Sequence, residues 1–306
     1  MGTPERVAVR IAVIGDLMLD VLVEPLATVQ PGDDTPGRVR MECGGQAANV
    51  AAWVVALGAE ARLVCACASD DSQERAAARL SERGVEIVGP VLRGRVGVVV
   101  SIIGVSGERT LVSDPGCARS LRPEHLERKW FAGCAWLHVS GYHLFDDEAA
   151  GSALRAAELA REHGARVSLD LSCAARLREL GEREARRRVG GLGPDLVFQT
   201  ALEADALGDA SIVPVSVVKQ GANGCTVLSG GNRWALPADD AEVVDTTGAG
   251  DAFAAGFLVA LGAGVDGPDE LLSAAQSGLS AAARCVARVG AMPDVPPTAP
   301  VRTGSR

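Results

Sequence analysis

Apolar residues along the chain fall into two alternating patterns. Short runs such as Val7–Ile14, Ala61–Ala66, Trp136–Val139, Arg166–Leu171, Leu196–Phe198 and Val213–Val218 have the length of strands, several of them apolar throughout. Between them lie stretches of helical spacing: Ala47–Leu57 ended by Gly58, Ser72–Arg83 ended by Gly84, Glu148–His163, Arg176–Val189, Glu203–Leu207, Ala252–Leu261 and Asp269–Val286. Apolar strands alternating with helices predict an α/β fold, a doubly wound and mostly parallel sheet with helices on both faces. Two places break the alternation. Val96–Ile103 and Thr110–Ser113 are separated only by Val105-Ser-Gly-Glu108, a hairpin signal, and Gly224–Ser229 is followed closely by Arg233–Leu236. The first of these, with the turn-rich Val29–Gly37, predicts a small antiparallel sheet appended to the main one.

Composition narrows the function classes. The 306 residues suffice to bury a large core, and 47% hydrophobic with 23% charged residues is ordinary for a globular chain. No apolar run approaches the roughly 18 residues of a membrane span, and Met1–Arg6 leads straight into a strand, so a cytoplasmic protein is expected. A net charge of −9 argues against general nucleic-acid binding. The eight cysteines are scattered through apolar stretches and read as reduced, buried residues. Cys65-Ala-Cys67 lies in a strand pattern that would point its thiols to opposite faces, and no second cysteine pair stands at zinc spacing.

Standard nucleotide loops are absent. Lys129 and Lys219 are not followed by Ser or Thr, so there is no Walker A loop, and Gly248-Ala-Gly250 is followed by Phe253 where a dinucleotide fingerprint needs Gly or Ala. What remains is a strand–turn–helix pattern over Val243–Leu258. Its glycines let backbone N–H groups approach an anion at a helix N-terminus. Asp251 then has two readings, a helix N-cap or a general base facing a hydroxyl that attacks a bound phosphoryl group. Gly44-Gly45 also precedes a helix, on which Asn49 is polar amid Ala, Val and Trp: either a satisfied buried amide or a hydroxyl-binding group. Asp16 and Asp20 sit at the C-terminal end of the first strand, where open α/β sheets bind ligands.

These segments resemble the ribokinase, or PfkB carbohydrate kinase, family. Gly44-Gly45-x3-Asn49-Val-Ala51 is similar to its N-terminal signature and Asp245-Thr-Thr-Gly-Ala-Gly-Asp251 to its C-terminal one. Gly15-Asp16-x3-Asp20, Gly107-Glu-Arg-Thr110, Ser140-Gly-Tyr142 and Gly221-x-x-Gly224 extend the correspondence to about residues 8–295. The resemblance implies a ribokinase-like kinase domain over 1–292, with a β lid from about 16–43 and 92–116, and a loose tail over 293–306. It implies ATP-dependent phosphorylation of a sugar hydroxymethyl group, with Asp251 as base and backbone groups of Gly248, Ala249 and Gly250 as anion hole. Asp16, Asp20, Gly44, Gly45 and Asn49 would hold the acceptor. Lys219, Gly221, Gly224 and Thr200 would lie along ATP, and Glu203 would organise Mg²⁺ through water. A K⁺ site would draw on Asp245 and the carbonyl of Thr247 on one side and on the carbonyls of Cys285, Arg288 and Gly290 on the other, with Asp294 near. The lid implies a homodimer contact.

Two departures matter. Thr200-x-x-Glu203 replaces the family's Asn-x-x-Glu, and Val139-Ser-Gly-Tyr142 lacks the Glu that ribokinases carry near Ser140, which disfavours ribose. Asp16, Asp20 and Asn49 suit vicinal hydroxyls, so a neutral sugar is expected. A nucleoside would need a stacking ring from Trp53, Phe131, Tyr142 or Phe145, and a phosphosugar would need Arg93, Arg95 or Arg109 aimed inward. A non-catalytic sugar sensor is the alternative of another class, disfavoured by the intact Asp251.

Overall fold

The computed structural model describes residues 9–103, 109–208, 213–262, 264 and 267–294. From the N-terminus, β1 (Arg10–Ile14) is followed by β2 (Met18–Pro25), β3 (Gly37–Gly44), α1 (Gln46–Ala56), β4 (Glu60–Val64), β5 (Cys67–Ala68), α2 (Asp71–Glu82), β6 (Glu86–Val88) and β7 (Val91–Leu92). Then come β8 (Gly97–Ile103), β9 (Arg109–Asp114), β10 (Trp136–Ser140), α3 (Gly141–Leu144), α4 (Ala150–Glu162), β11 (Arg166–Asp170), α5 (Ala174–Leu180), α6 (Glu182–Leu192) and β12 (Leu196–Thr200). The chain closes with α7 (Ala201–Leu207), β13 (Val215–Lys219), β14 (Cys225–Ser229), β15 (Asn232–Leu236), α8 (Ala249–Leu261) and α9 (Pro268–Val286).

The central sheet has nine strands in the order β15-β14-β13-β12-β11-β10-β1-β4-β6, parallel except for β14 and β15. Its central strands are apolar on both faces because both faces are covered. Ile11 and Val13 point into one core with α1 and α8, while Ala12 and Ile14 point into the other with α4 and α6. The α/β expectation is met.

A separate sheet, β3-β2-β8-β9, stands over the C-terminal end of β1. Its β8–β9 pair is antiparallel as expected, but β2 and β8 run parallel, so the sheet is mixed. The register puts Asp20 beside Val99, Leu22 beside Ser101, and Ser101 beside Leu111, all on one face. Val105–Glu108, the Val7 end of the first strand, and the tail from residue 295 lie outside the described residues.

Three expectations fail for local reasons. The single helix over Arg176–Val189 is two, α5 and α6, broken at Gly181, whose φ of 80° no helix accommodates. Val243-Val244 is not a strand. Both residues are exposed, and the N–H groups of Val244 and Asp245 bond the Val286 carbonyl at 2.7 and 3.1 Å rather than a sheet neighbour. Cys65 and Cys67 do not face opposite ways. Successive side chains alternate in extended backbone, so residues two apart share a face, and the two sulfurs lie 3.8 Å apart.

Candidate active site

The C-terminal ends of β1, β10 and β11 and the inner face of the small sheet enclose a cavity of about 810 Å³. Asp16, Asp20, Gly45, Asn49, Thr247, Gly248 and Asp251 line it, so residues from both glycine segments meet there. Asp16 is spent partly on structure. Its Oδ2 accepts from Gln46 N and its Oδ1 from Ala47 N, each at 3.2 Å, and its carbonyl accepts from Ala48 N. It therefore caps α1 from a neighbouring loop, since Gly45 at the N-cap has no side chain to do so. Burial raises the Asp16 pKa against these backbone bonds. Gly44 and Gly45 act as clearances: a Cβ on Gly44 would sit 2.1 Å from Asp20 Oδ2, and one on Gly45 would sit 3.0 Å from Asp16 Oδ2.

Sequence reasoning missed the clamp beneath this corner. Ser172 is the non-glycine residue with positive φ among those described, at 67°. Its hydroxyl donates to Gln46 Oε1 at 2.6 Å and accepts from Gly141 N at 2.9 Å, joining the ends of β10 and β11 to the start of α1. Ser140 Oγ also donates to Gln46 Oε1. Strained backbone held by such a network is a recurrent feature of functional sites.

Opposite lies the turn before α8. Asp245 Oδ1 accepts from Thr247 N (2.8 Å) and Thr247 Oγ1 (2.7 Å), and its Oδ2 accepts from Gly290 N (3.0 Å). Gly248 takes φ 77° at the N-cap, and a Cβ there would meet Ala291 at 2.6 Å. The first-turn N–H groups of α8 lack partners four residues back, which leaves a site for negative charge. Asp251 is the third residue of α8, so it is not the cap. Its Oδ2 accepts from Asn49 Nδ2 at 2.8 Å. Burial pushes its pKa up to about 7, opposed by the Asn49 bond and Lys219 and assisted by Asp170 and Asp16. Asn49 Oδ1 is buried with no partner among the described residues.

Across the turn from the cavity sits Lys219, whose Nζ is 2.5 Å from Asp170 Oδ2. A Cβ on Gly250 would lie 3.2 Å from that nitrogen, which places the lysine beside the turn. Burial works against its charge, yet Asp170 and Glu203 hold its pKa above the ordinary value. Asp170 escaped the sequence reading; the available signal was an acid ending a buried strand. Thr200 and Glu203 form a capping box at α7. Glu203 Oε2 accepts from Thr200 N at 2.7 Å, and Thr200 Oγ1 accepts from Glu203 N at 3.3 Å. Burial first, then Asp170, raises the Glu203 pKa. Gly221 and Gly224 shape the tight connection from β13 to β14, where Gln220 N donates to Gly224 O. These residues do not line the cavity.

Around the cation candidates, Cys285 Sγ approaches Thr247 O at 3.3 Å, Asp245 accepts from Gly290 N, and the Cys285 carbonyl accepts from Arg288 N at 3.3 Å. The Arg288 side chain turns to Met292 O and Asp294, whereas the group such a site would use is its carbonyl. Trp53, Phe131 and Phe145 are core residues, whereas Tyr142 is 52% exposed and lines the cavity. Arg93 and Arg95 do not line it, and the Arg109 side chain is outside the described set. Arg119 and Arg176 do line it, each already paired, with Asp146 at 2.9 Å and Glu179 at 2.6 Å.

The sequence profile described as pfkB family carbohydrate kinase matches residues 9–298. The chain is 29% identical over 229 residues to the ATP-dependent ribose-1-phosphate kinase of Halopiger xanaduensis, covering 72% of this chain and 73% of that one. It is 27% identical over 308 residues to the aminoimidazole riboside kinase of Salmonella typhimurium, covering 94% and 92%. The crystal structure of adenosine kinase from Sinorhizobium meliloti superposes with a TM-score of 0.77 at 24% identity, over 93% of this chain and 96% of that one, a likeness of fold.

The raised Asp251 pKa has a consequence for stability. The folded state holds a proton on Asp251 up to about pH 7, whereas an unfolded aspartate releases it near 3.8. Between those values the unfolded state binds fewer protons, so this group's contribution falls as pH rises. Asp251→Asn is expected to stabilise the protein at pH 8, by an amount on the order of 1–4 kcal/mol, and to change little at pH 4. Thermal unfolding at the two pH values measures this; an equal shift at both would contradict it.

Proposed function

The chain belongs to the pfkB family of carbohydrate kinases, and from that membership we propose that it moves the γ-phosphoryl group of ATP to a hydroxymethyl group of a small sugar. The observation that carries the reading is the position of Asp251. It lies in the first turn of α8, lines the acceptor cavity, and is held by Asn49 within the electrostatic reach of Lys219 on the other side. In this reading Asp20 and Asp16 accept hydroxyl hydrogens from the sugar, with Asn49 Oδ1 as a donor's further partner. Gly248, Ala249 and Gly250 present backbone N–H groups to the transferring group, which stabilises charge where it develops. Asp251 orients the attacking hydroxyl and takes its proton. Phosphoryl transfer makes small demands on base strength, so alignment matters more than basicity.

ATP lies along Lys219, Thr200, Gly221 and Gly224. Asp170 acts as a positioning residue, since it fixes the lysine beside the turn. Mg²⁺ suits the buried Glu203, a hard oxygen ligand beside Asp170 with one oxygen left by the Thr200 bond; when bound, the ion neutralises phosphate charge. K⁺ suits the backbone oxygens of Thr247 and Gly290 near Asp245 and Cys285. Their gathering around one turn is what supports it. Rates in K⁺ are expected to exceed those in a bulky organic cation; equal rates would contradict the site.

The acceptor is uncharged in this reading, because among the described residues the two arginines lining the cavity are already paired with carboxylates that line it. A nucleoside is the second reading, supported by the exposed ring of Tyr142 and by the relatives named riboside and adenosine kinase. The protein acts in the cytoplasm. A homodimer would form through the outer face of the small sheet, where Val39, Met41 and Val112 are exposed on the face away from the cavity.

ADP release screened over free sugars, phosphosugars and nucleosides tests the acceptor; a phosphosugar turned over far better than every neutral compound would contradict it. Asp251→Asn is expected to lower kcat by roughly 10²–10⁴-fold with ATP binding and folding retained. Normal kcat in a folded Asp251→Asn protein would overturn the mechanism.

A further inference from the structure

Cys65 and Cys67 follow β4 on the side of the chain that leads to β5, outside the catalytic constellation. We propose that they form a redox-active dithiol, closed to an intrachain disulfide by a low-molecular-weight disulfide oxidant. The sulfurs stand 3.8 Å apart because the chain stays extended past β4, its Cys65 and Cys67 N–H groups bonding Val88 O and Pro90 O, and side chains two residues apart in extended backbone project to the same side. Cys65 is fully buried and Cys67 is partly exposed, so one thiol is reachable and the other waits behind it. Their protonation is unequal. The contact between the two thiols lowers the Cys67 pKa, while the same contact, then burial and the nearby Asp16, raises that of Cys65.

That asymmetry orders the chemistry. The Cys67 thiolate attacks one sulfur of the oxidant, forming a mixed disulfide and releasing one small thiolate, which takes up a proton. Cys65 then loses its proton to solvent and attacks Cys67 Sγ. The mixed disulfide breaks, the Cys65–Cys67 bond forms, and the second small thiol leaves. The protein loses two protons and two electrons, and the oxidant is reduced to two thiols.

The pair sits next to the acceptor site through the backbone. Gly15 N donates to Val64 O at 3.2 Å, and Gly15 immediately precedes Asp16, which caps α1 and lines the cavity. Cys65 N and Cys67 N are themselves bonded to Val88 O and Pro90 O, at 3.0 and 2.9 Å. Drawing the sulfurs together to about 2.05 Å must shift the segment that carries those bonds. Oxidation is therefore expected to raise KM for the acceptor several-fold more than KM for ATP.

The test treats the full chain with oxidised glutathione and maps it by mass. Trypsin releases Leu63–Arg75, which holds both cysteines and no others. This peptide is expected to lose two hydrogens and to regain them with dithiothreitol. Cys65→Ser is expected to trap glutathione on Cys67, and Cys117→Ser, which changes the thiol packed near Cys67, is expected to leave the link intact. Wild-type protein in which Leu63–Arg75 stays unlinked, carries glutathione instead, or is joined to Cys117 would overturn the proposal. So would a Cys65–Cys67 link that leaves acceptor KM unchanged.

Discussion

Three carboxylates, Asp16, Asp170 and Asp251, are brought out of water at the C-terminal edge of one sheet, and the surroundings must answer that charge. Burial raises the pKa of Asp16 and Asp251, and Asp251 feels both other acids. Isolated buried charges of this kind are costly unless paired or hydrogen-bonded. The chain supplies one lysine, one asparagine amide and one helix N-terminus as compensation. Asp170 takes Lys219, Asp251 takes Asn49, and Asp16 takes the first N–H groups of α1.

Other features follow from that crowding. Glycine at 44 leaves room for Asp20, and Gly248 allows the turn to pass against Ala291. Ser172 tolerates a positive φ because its hydroxyl ties three elements at the corner where Gln46 enters α1. Asp245 joins the turn to Gly290 at the far end of α9. The small sheet contributes one carboxylate and a largely apolar inner wall, and its register fixes which side chains face inward. The core is arranged to hold the ends of strands still. Phe198 packs edge to face against Phe253 and Phe257 of the helix that carries Asp251.

The layers of the fold were legible because strands buried on both faces are apolar throughout, and because Gly58 and Gly84 end helices cleanly. Gly181 was harder: one glycine inside a charged, helix-forming stretch reads as tolerated, and only its φ reveals a break. The glycine turns stood out ahead of helices, Asn49 as a polar residue in apolar surroundings, Asp16 and Asp20 at a strand end, and Asp251 after a glycine turn. Asp170 and Ser172 did not, since Leu169-Asp-Leu-Ser-Cys173 looks like an ordinary strand end. Their importance lies in partners more than 40 residues away, Lys219 and Gln46. Cys65 and Cys67 were misjudged because strand alternation separates adjacent residues, whereas residues two apart lie on one face, as the converging sulfurs do. Thr200 and Glu203 were read for ATP and metal handling, while their spacing of three also marks the capping box they form.

The central claim is that a buried aspartate, held neutral or ionised by its neighbours, receives the proton of the acceptor hydroxyl. The pH dependence of kcat/KM for the acceptor reports ionisations of the free enzyme. The account expects activity to rise with pH through a single ionisation near 7, where burial has moved Asp251. It also expects this limb to vanish from the residual activity of Asp251→Asn. A profile flat from about pH 5 to 9, or an unchanged limb in Asp251→Asn, would contradict it.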